Sequence, residues 1–174
     1  HMWEYPFDKE LQVITSFPRT TYVAMLINDD DLAVLTRRSL EIWSISTRTL
    51  VRKIEDYDSF HTMFNRGSLA TTPNATLLAC TRGESSISIF EPDNLEMVRT
   101  ILKGNNGATN SISFSPTGAL LVSGTDDGSV IWSLANSLDI RTLDSGAFRI
   151  LHATFSHDGS LIATAQDDGL INIW

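Results

Sequence analysis

The sequence predicts an all-β fold made of repeated antiparallel sheets, and two observations lead to this prediction. Large aromatic residues recur at a nearly constant spacing. They are Trp3, Trp43, Phe90, Trp132 and Trp174, at intervals of 40, 47, 42 and 42 residues. The last four each end a run rich in β-branched residues, which is typical of a strand. A period of this length indicates a repeat architecture.

Two turn motifs recur in the same phase as the aromatic residues. The segment 114–118 (Phe-Ser-Pro-Thr-Gly) returns 41 residues later as 155–159 (Phe-Ser-His-Asp-Gly). The segment 123–128 (Ser-Gly-Thr-Asp-Asp-Gly) returns as 164–169 (Thr-Ala-Gln-Asp-Asp-Gly). Repeats three and four therefore match closely, whereas repeat two keeps only a worn Thr-Pro-Asn-Ala version of the first turn, at 72–75.

Each repeat is predicted to contain four short strands. In repeat three they are centred on 112–114, 119–122, 130–132 and 139–143. Ser-Pro-Thr-Gly and Asp-Gly have the chemistry of tight turns, the second being a strong hairpin signal. A sustained helical pattern of apolar residues is missing from every window. Four strands in about 42 residues, repeated, predict the blades of a β-propeller.

These motifs resemble those of the WD40-repeat family. The Phe-Ser-Pro-x-Gly turn, the Asp-Asp-Gly turn and the Ile-Trp strand end together cover most of residues 22–174. The resemblance implies a structural set of a second-strand Ser or Thr, a turn Asp and a Trp. By resemblance the set is Ser123, Asp127 and Trp132 in repeat three, and Thr164, Asp168 and Trp174 in repeat four, while Trp43 and Phe90 hold the aromatic position in the first two repeats.

The family's Gly-His pair between blades has no histidine in this chain. Gly104-Asn105 and Ser145-Gly146 stand where the pair is expected. Because buried polar groups need partners, Asn105 is the expected substitute in one repeat, and the other network is expected to be incomplete.

The ends of the sequence leave the closure of the ring open. His1-Met2 is interpreted as a cloning scar; residues 4–14 are predicted to be a fourth strand and Trp174 to end a third strand. The prediction is therefore sixteen strands in four blades, at about 22–54, 60–102, 110–143 and 150–174, the last completed by 3–14 or by a partner. The family usually has about seven blades. Three arrangements remain: part of a larger propeller, a half-ring that pairs with a second copy into eight blades, or a closed ring of four.

Composition and motif content argue against several functions. Lys and Arg number 13 against 21 Asp and Glu, a net charge of −8, which disfavours broad binding to nucleic acid or anionic membranes. A single cysteine, Cys80, excludes an internal disulfide and is expected to be a buried small hydrophobe. The longest apolar stretch is five residues, and a signal peptide is not recognised, so we expect an intracellular protein, cytoplasmic or nuclear.

Catalytic and metal-binding patterns are also missing from the sequence. Beyond the scar, His61, His152 and His157 have no metal-ligand spacing, and no Gly-x-Ser-x-Gly motif occurs. The Asp pairs at 126–127 and 167–168 each precede a hairpin glycine, which explains them better than a metal site does. We therefore expect a protein that is not an enzyme and has neither cofactor nor metal.

Two segments are candidates for binding a partner. The five extra residues between Trp43 and Phe90 are placed in 55–66, which contains residue types common at interface hot spots: Tyr57, Phe60, Met63, Phe64 and Arg66. The alternative is that Phe60 and Phe64 extend a strand and pack on the next blade. The second candidate is a basic cluster, Arg37 and Arg38 with Arg48, Arg52 and Lys53, which suits an acidic peptide or a lipid headgroup unless it is simply a solvated face.

The expected function is a non-catalytic scaffold for protein partners, within a multi-protein assembly. The alternative is a membrane-binding propeller, because the chain is faintly similar to the phosphoinositide-binding autophagy propellers. That family needs Phe-Arg-Arg-Gly, whereas this chain has Leu-Asp-Ser-Gly at 143–146, and a near match, Phe-Asn-Arg-Gly, at 64–67. Membrane lipid is therefore the less favoured partner.

Changing Phe64 or Tyr57 to Ala tests the first binding segment. We expect weaker capture of a protein partner with a nearly unchanged melting temperature, because interface aromatic residues contribute to binding rather than to the core. The measurements are partner capture and thermal unfolding of each variant. A large fall in melting temperature would assign the residue to the core.

Overall fold

The computed structural model describes residues 21–36, 39–55, 67–82, 86–102, 107–134, 139–143 and 148–174. These residues form fifteen β-strands in four antiparallel sheets, which we call blades A to D. Blade A contains β1 (Thr21–Leu26), β2 (Asp31–Thr36), β3 (Leu40–Ser44) and β4 (Thr49–Ile54). Blade B contains β5 (Leu69–Thr71), β6 (Leu78–Arg82), β7 (Ser86–Glu91) and β8 (Glu96–Leu102). Blade C contains β9 (Thr109–Phe114), β10 (Leu120–Thr125), β11 (Gly128–Ser133) and β12 (Asp139–Leu143). Blade D contains β13 (Ile150–Phe155), β14 (Ile162–Gln166) and β15 (Ile171–Ile173).

The strand order in every blade follows the order of the chain, with each strand antiparallel to the next. The predicted all-β fold of WD40-like blades is therefore confirmed, with three sheets of four strands and one of three. In the described part of the chain there is no helix that could cross a membrane.

The blades pack face to face through three hydrophobic clusters, one between each pair of successive blades. The third strand of each blade carries the recurring aromatic residue, and we call that side of the blade its aromatic face and the other side its back face. Phe90 packs on blade A, Trp132 on blade B and Trp174 on blade C. The aromatic residues recur in the sequence because one contact recurs in the structure. In this contact the aromatic face of each blade packs on the back face of the preceding blade.

The turns between first and second strands share one hydrogen-bond pattern in blades B, C and D. In blade C the Gly118 N–H donates to the Ser115 carbonyl (2.8 Å), and the Leu120 N–H donates to Ser115 Oγ (3.1 Å). The glycine has φ +72°, and Gly159 in blade D has φ +73°. Blade B makes the same turn with Ala75 at φ +57°, so its worn sequence still produces the motif.

Asp158 stabilises the turn of blade D with its carboxylate. Its Oδ1 accepts hydrogen bonds from Ser156 Oγ (2.6 Å) and from the Ser160 N–H (3.1 Å). These bonds, the Ser156 hydroxyl first, lower the pKa of Asp158 to about 2. The carboxylate therefore stays charged in all but strongly acidic solution.

Each complete blade has a β-bulge in its outer strand, opposite the aromatic residue. The register shifts between Ile42 and Trp43 in blade A, between Ile89 and Phe90 in blade B, and between Ile131 and Trp132 in blade C. The bulged residue is β-branched each time and an arginine follows it: Val51-Arg52, Val98-Arg99 and Ile140-Arg141. This spacing of 47 and 42 residues repeats that of the aromatic residues and is a further signature of the repeat.

Gly124 lies at a close approach between blades C and D, and an alanine there is expected to destabilise the protein. A Cβ at this position would lie 2.7 Å from Ile150 Cγ2 and 2.8 Å from Ser111 Oγ. We expect Gly124→Ala to lower the free energy of unfolding by about 1–3 kcal/mol, the usual cost of overpacking. Urea unfolding measures the change.

Ala165 provides the matched control for Gly124→Ala. It occupies the corresponding position in blade D, on the back face. We expect Ala165→Gly to cost only about 0.5–1 kcal/mol, from backbone entropy. Equal losses in the two variants would contradict the steric explanation.

Candidate functional site: the interlocked blades and the open blade D

The buried indole N–H groups of blades C and D have the same kind of acceptor. Trp132 Nε1 donates to Ser123 Oγ and Trp174 Nε1 donates to Thr164 Oγ1, both at 3.0 Å. Ser123, Thr164 and Trp132 are buried, and Trp174 is half-buried. In blade C the hydroxyl of the second strand thus satisfies a donor that burial removes from water, and in blade D the same contact is part-buried.

Blade A satisfies its indole differently. The register places Val34 where blade C has Ser123, and valine offers no acceptor. Trp43 Nε1 instead donates to Glu41 Oε2 at 2.9 Å, and Glu41 Oε1 accepts from Ser39 Oγ at 2.8 Å. Lys53 Nζ lies 3.5 Å from Glu41, so the buried carboxylate also has a cationic neighbour. The sequence patterns did not predict this role for Glu41.

Blade B has no indole N–H at its aromatic position and therefore needs no acceptor there. Phe90 has no N–H, and Cys80 stands where blade C has Ser123. Both side chains are fully buried, and burial raises the pKa of the Cys80 thiol to about 12. Cys80 is therefore an apolar, unreactive part of the core between blades A and B.

The WD40 resemblance also singled out two turn aspartates and an asparagine. Asp127 is exposed at its hairpin, where its N–H donates to Thr125 Oγ1 at 3.3 Å. Asp168 is exposed as well, and its Oδ1 accepts from the Leu170 N–H at 3.0 Å. These contacts are those of hairpin turns. Asn105 lies outside the described residues.

Polar contacts between blades supplement the hydrophobic clusters. Ser68 Oγ accepts the Ile112 N–H of the next blade at 3.2 Å, and Ser111 Oγ accepts that of Ala153 at 2.9 Å. Asn110 Nδ2 donates to the Ile150 carbonyl at 3.0 Å. Because these bonds join backbone to side chain across blades, they hold successive blades in one relative position.

The sequence-predicted partner contacts fall outside the described residues. They are Tyr57, Phe60, Met63, Phe64, Arg66, Arg37 and Arg38. The described members of the basic cluster include Lys53, whose Nζ lies 2.8 Å from Glu55 Oε1; this hydrogen bond raises the pKa of Lys53 and lowers that of Glu55. Lys53 is therefore already paired with carboxylates of its own chain.

Blade D exposes large apolar side chains that the sequence patterns did not single out. Ile171 is 71% and Ile173 61% exposed. The corresponding residues of blade C are Ser129, which is fully buried, and Ile131, which packs against the cluster between blades C and D. Leu161 and Leu170 are exposed beside them. The back face of blade D thus resembles the buried back face of blade C without its cover.

Among the residues that the structure describes, the outer edge of blade D is open as well. In blades A, B and C the third strand pairs with a second and a fourth strand. Among the described residues β15 pairs only with β14. An open edge carries unpaired N–H and C=O groups and is a ready template for another strand.

Comparison with known proteins agrees with the repeated contacts. Residues 96–133 and 139–174 match the family model described as "WD domain, G-beta repeat". The chain thus carries WD40 repeats in these two segments. The matched segments contain both indole-to-hydroxyl pairs of blades C and D.

Similar proteins are longer than this chain. The small ribosomal subunit protein RACK1y of Oryza sativa subsp. japonica is 32% identical over 59% of this chain and 30% of its own length. The human WD repeat-containing protein 36 is 28% identical over 78% of this chain and 14% of its own. The serine-threonine kinase receptor-associated protein of Gallus gallus is 25% identical over 86% of this chain and 41% of its own. This chain therefore spans less than half the length of these relatives.

Ser123→Ala tests the role of the buried acceptor. Removing the hydroxyl leaves the Trp132 N–H buried without its partner, so we expect a loss of about 1–3 kcal/mol in the free energy of unfolding. The matched Thr164→Ala variant is expected to lose less through its hydrogen bond, since Trp174 is half-buried and water can replace the acceptor. Chemical denaturation measures both, and an unchanged Ser123→Ala midpoint would contradict the assignment.

Proposed function

We propose that this WD40 chain is a non-catalytic scaffold that binds protein partners, as a subunit of a multi-protein assembly inside the cell. The exposed apolar back face of blade D carries the proposal. Ile171 and Ile173 lie on a sheet whose other face is held by blade C. A rigid sheet that presents apolar side chains loses little conformational freedom when a partner covers it.

The names of several relatives support this function. One is a small ribosomal subunit protein, one is associated with a kinase receptor, and one, from Dictyostelium discoideum, is a subunit of the anaphase-promoting complex. These names refer to assemblies with other macromolecules. A cytoplasmic or nuclear scaffold is therefore the function we propose for this chain as well. The segment 57–66 and the arginines at 37 and 38 remain proposed partner contacts.

Replacing the exposed isoleucines tests the proposal. We expect Ile171→Ser with Ile173→Ser to reduce capture of protein partners about tenfold or more, since each buried isoleucine is worth about 1.5–3 kcal/mol. Quantitative mass spectrometry of proteins captured by the immobilised chain gives the measurement.

Blade B offers a matched control for the isoleucine variant. Met97 and Val98 are exposed by 48% and 50% on the outer strand of blade B. Met97→Ser with Val98→Ser removes comparable apolar surface far from blade D, and we expect the captured proteins to be unchanged. If both double variants capture the same proteins as the parent chain, blade D is not the binding surface.

A further inference from the structure

The junction between blades A and B differs from the other two junctions along the first strands. At the junction of blades B and C, Ser68 Oγ accepts the Ile112 N–H at 3.2 Å. At the junction of blades C and D, Ser111 Oγ accepts the Ala153 N–H at 2.9 Å. The strand register places Val23 at the corresponding position of blade A. Because valine has no acceptor, this hydrogen bond is missing between blades A and B.

The outer strands show a second difference between the junctions. Arg99 follows the bulge of blade B, and its Nη1 donates to the carbonyl of Leu134, just after the third strand of blade C. Arg52 follows the bulge of blade A, and Pro92 lies two residues after the aromatic residue of blade B, as Leu134 does in blade C. Among the residues that the structure describes, Arg52 has no such bond to Pro92. The outer arginine therefore joins blade B to blade C but does not join blade A to blade B.

The turns between first and second strands show a third difference. A Cβ on Gly118 of blade C would lie 3.1 Å from Thr72 of blade B, and a Cβ on Gly159 of blade D would lie 3.2 Å from Pro116 of blade C. Ala75 holds this turn position in blade B and carries a Cβ there, packed against the cluster between blades A and B. The turns of blades B, C and D thus approach too closely for a methyl group to fit easily, whereas the junction of blades A and B accommodates one.

An extensive apolar cluster holds blades A and B together. It includes Leu35 and Ile42 of blade A and Cys80 and Phe90 of blade B, all fully buried. Hydrophobic attraction is non-directional and depends on the area buried. The cluster therefore resists separation of the two sheets but does little to fix their lateral position. Met25, which is partly buried at this cluster, has a flexible side chain that adapts to gaps of different shape.

We infer that blades B, C and D form one rigid unit and that blade A slides against this unit at its junction with blade B. Shear of packed elements keeps their apolar area buried and occurs in microseconds to milliseconds. The surfaces of blade A and those of the rigid unit are thus presented in more than one relative position, and a partner that contacts both selects one of them. This conformational device goes beyond the proposed function and does not depend on which blade binds a partner.

Distances between spin labels on exposed turn residues test the sliding. One pair, Asp29→Cys with Thr117→Cys, spans the junctions A–B and B–C, and the other, Asn74→Cys with His157→Cys, spans B–C and C–D. We expect double electron–electron resonance to give the first pair a distance distribution at least about twice as wide as that of the second, because only the first crosses the sliding junction. Cys80 is buried with a raised pKa, and the parent chain, in which it is the single cysteine, measures any label that it takes up.

Val23→Ser supplies the hydroxyl that the junction of blades A and B lacks. Leu69 holds the position in blade B that Ile112 holds in blade C, so its N–H is the expected donor. We expect this variant to narrow the distribution of the first label pair and to leave that of the second unchanged. Val23→Ala is the matched control, because it removes a similar apolar volume without supplying an acceptor, and we expect no narrowing. Urea unfolding establishes that each variant is folded.

Ser68→Val makes the reverse change at the junction of blades B and C. Both label pairs span this junction, so we expect both distributions to widen. Two results would overturn the inference: equal widths for the two pairs without further substitution, or a first distribution that is as wide with Val23→Ser as with Val23→Ala. The first comparison changes turn residues alone, so it decides the inference even if a Val23 variant fails to fold.

Discussion

The packing of each blade's aromatic face on the back face of the preceding blade is the contact on which the rest of this structure depends. A single sheet of four short strands has two broad faces and cannot bury both by itself. Three hydrophobic clusters bury the faces that successive blades turn toward each other. The backbone N–H groups of Ile112 and Ala153 donate hydrogen bonds to serine hydroxyls of the preceding blade, and these bonds fix the relative position of the two blades. Stability and rigidity therefore arise at the contacts between repeats, and the outer faces of the row are where function is expected.

The aromatic position shows how one packing problem admits different chemical solutions. A buried indole needs an acceptor, and the chain supplies a serine, a threonine or a glutamate. Where phenylalanine replaces tryptophan, the acceptor is replaced by a cysteine whose thiol is buried and protonated. Blade B thus has neither the indole donor nor the hydroxyl acceptor, so it keeps the same packing position without an unpaired indole.

Blade D is packed against blade C on one face and exposes apolar side chains on the other. Its aromatic face is held by Val122 and Leu143 of blade C, whereas its back face and outer edge present the groups that blade C uses for the next contact. Exposed apolar side chains and an open strand edge are suited to recognition by shape and by strand pairing. This is why a binding role follows more directly from the geometry than a chemical one.

The sequence by itself determined the repeat, because the aromatic residues and the glycines with positive φ, such as Gly118 and Gly159, have local requirements that a spacing reveals. It also predicted the strands and hairpins, whose signals span only a few residues. The tertiary structure alone decided which groups satisfy each indole, since Glu41 becomes an acceptor only when its strand places it beside Trp43. It likewise decided that Ile171 and Ile173 are exposed although Ile131 is packed, because exposure depends on the neighbouring blade and not on the residue or its repeat.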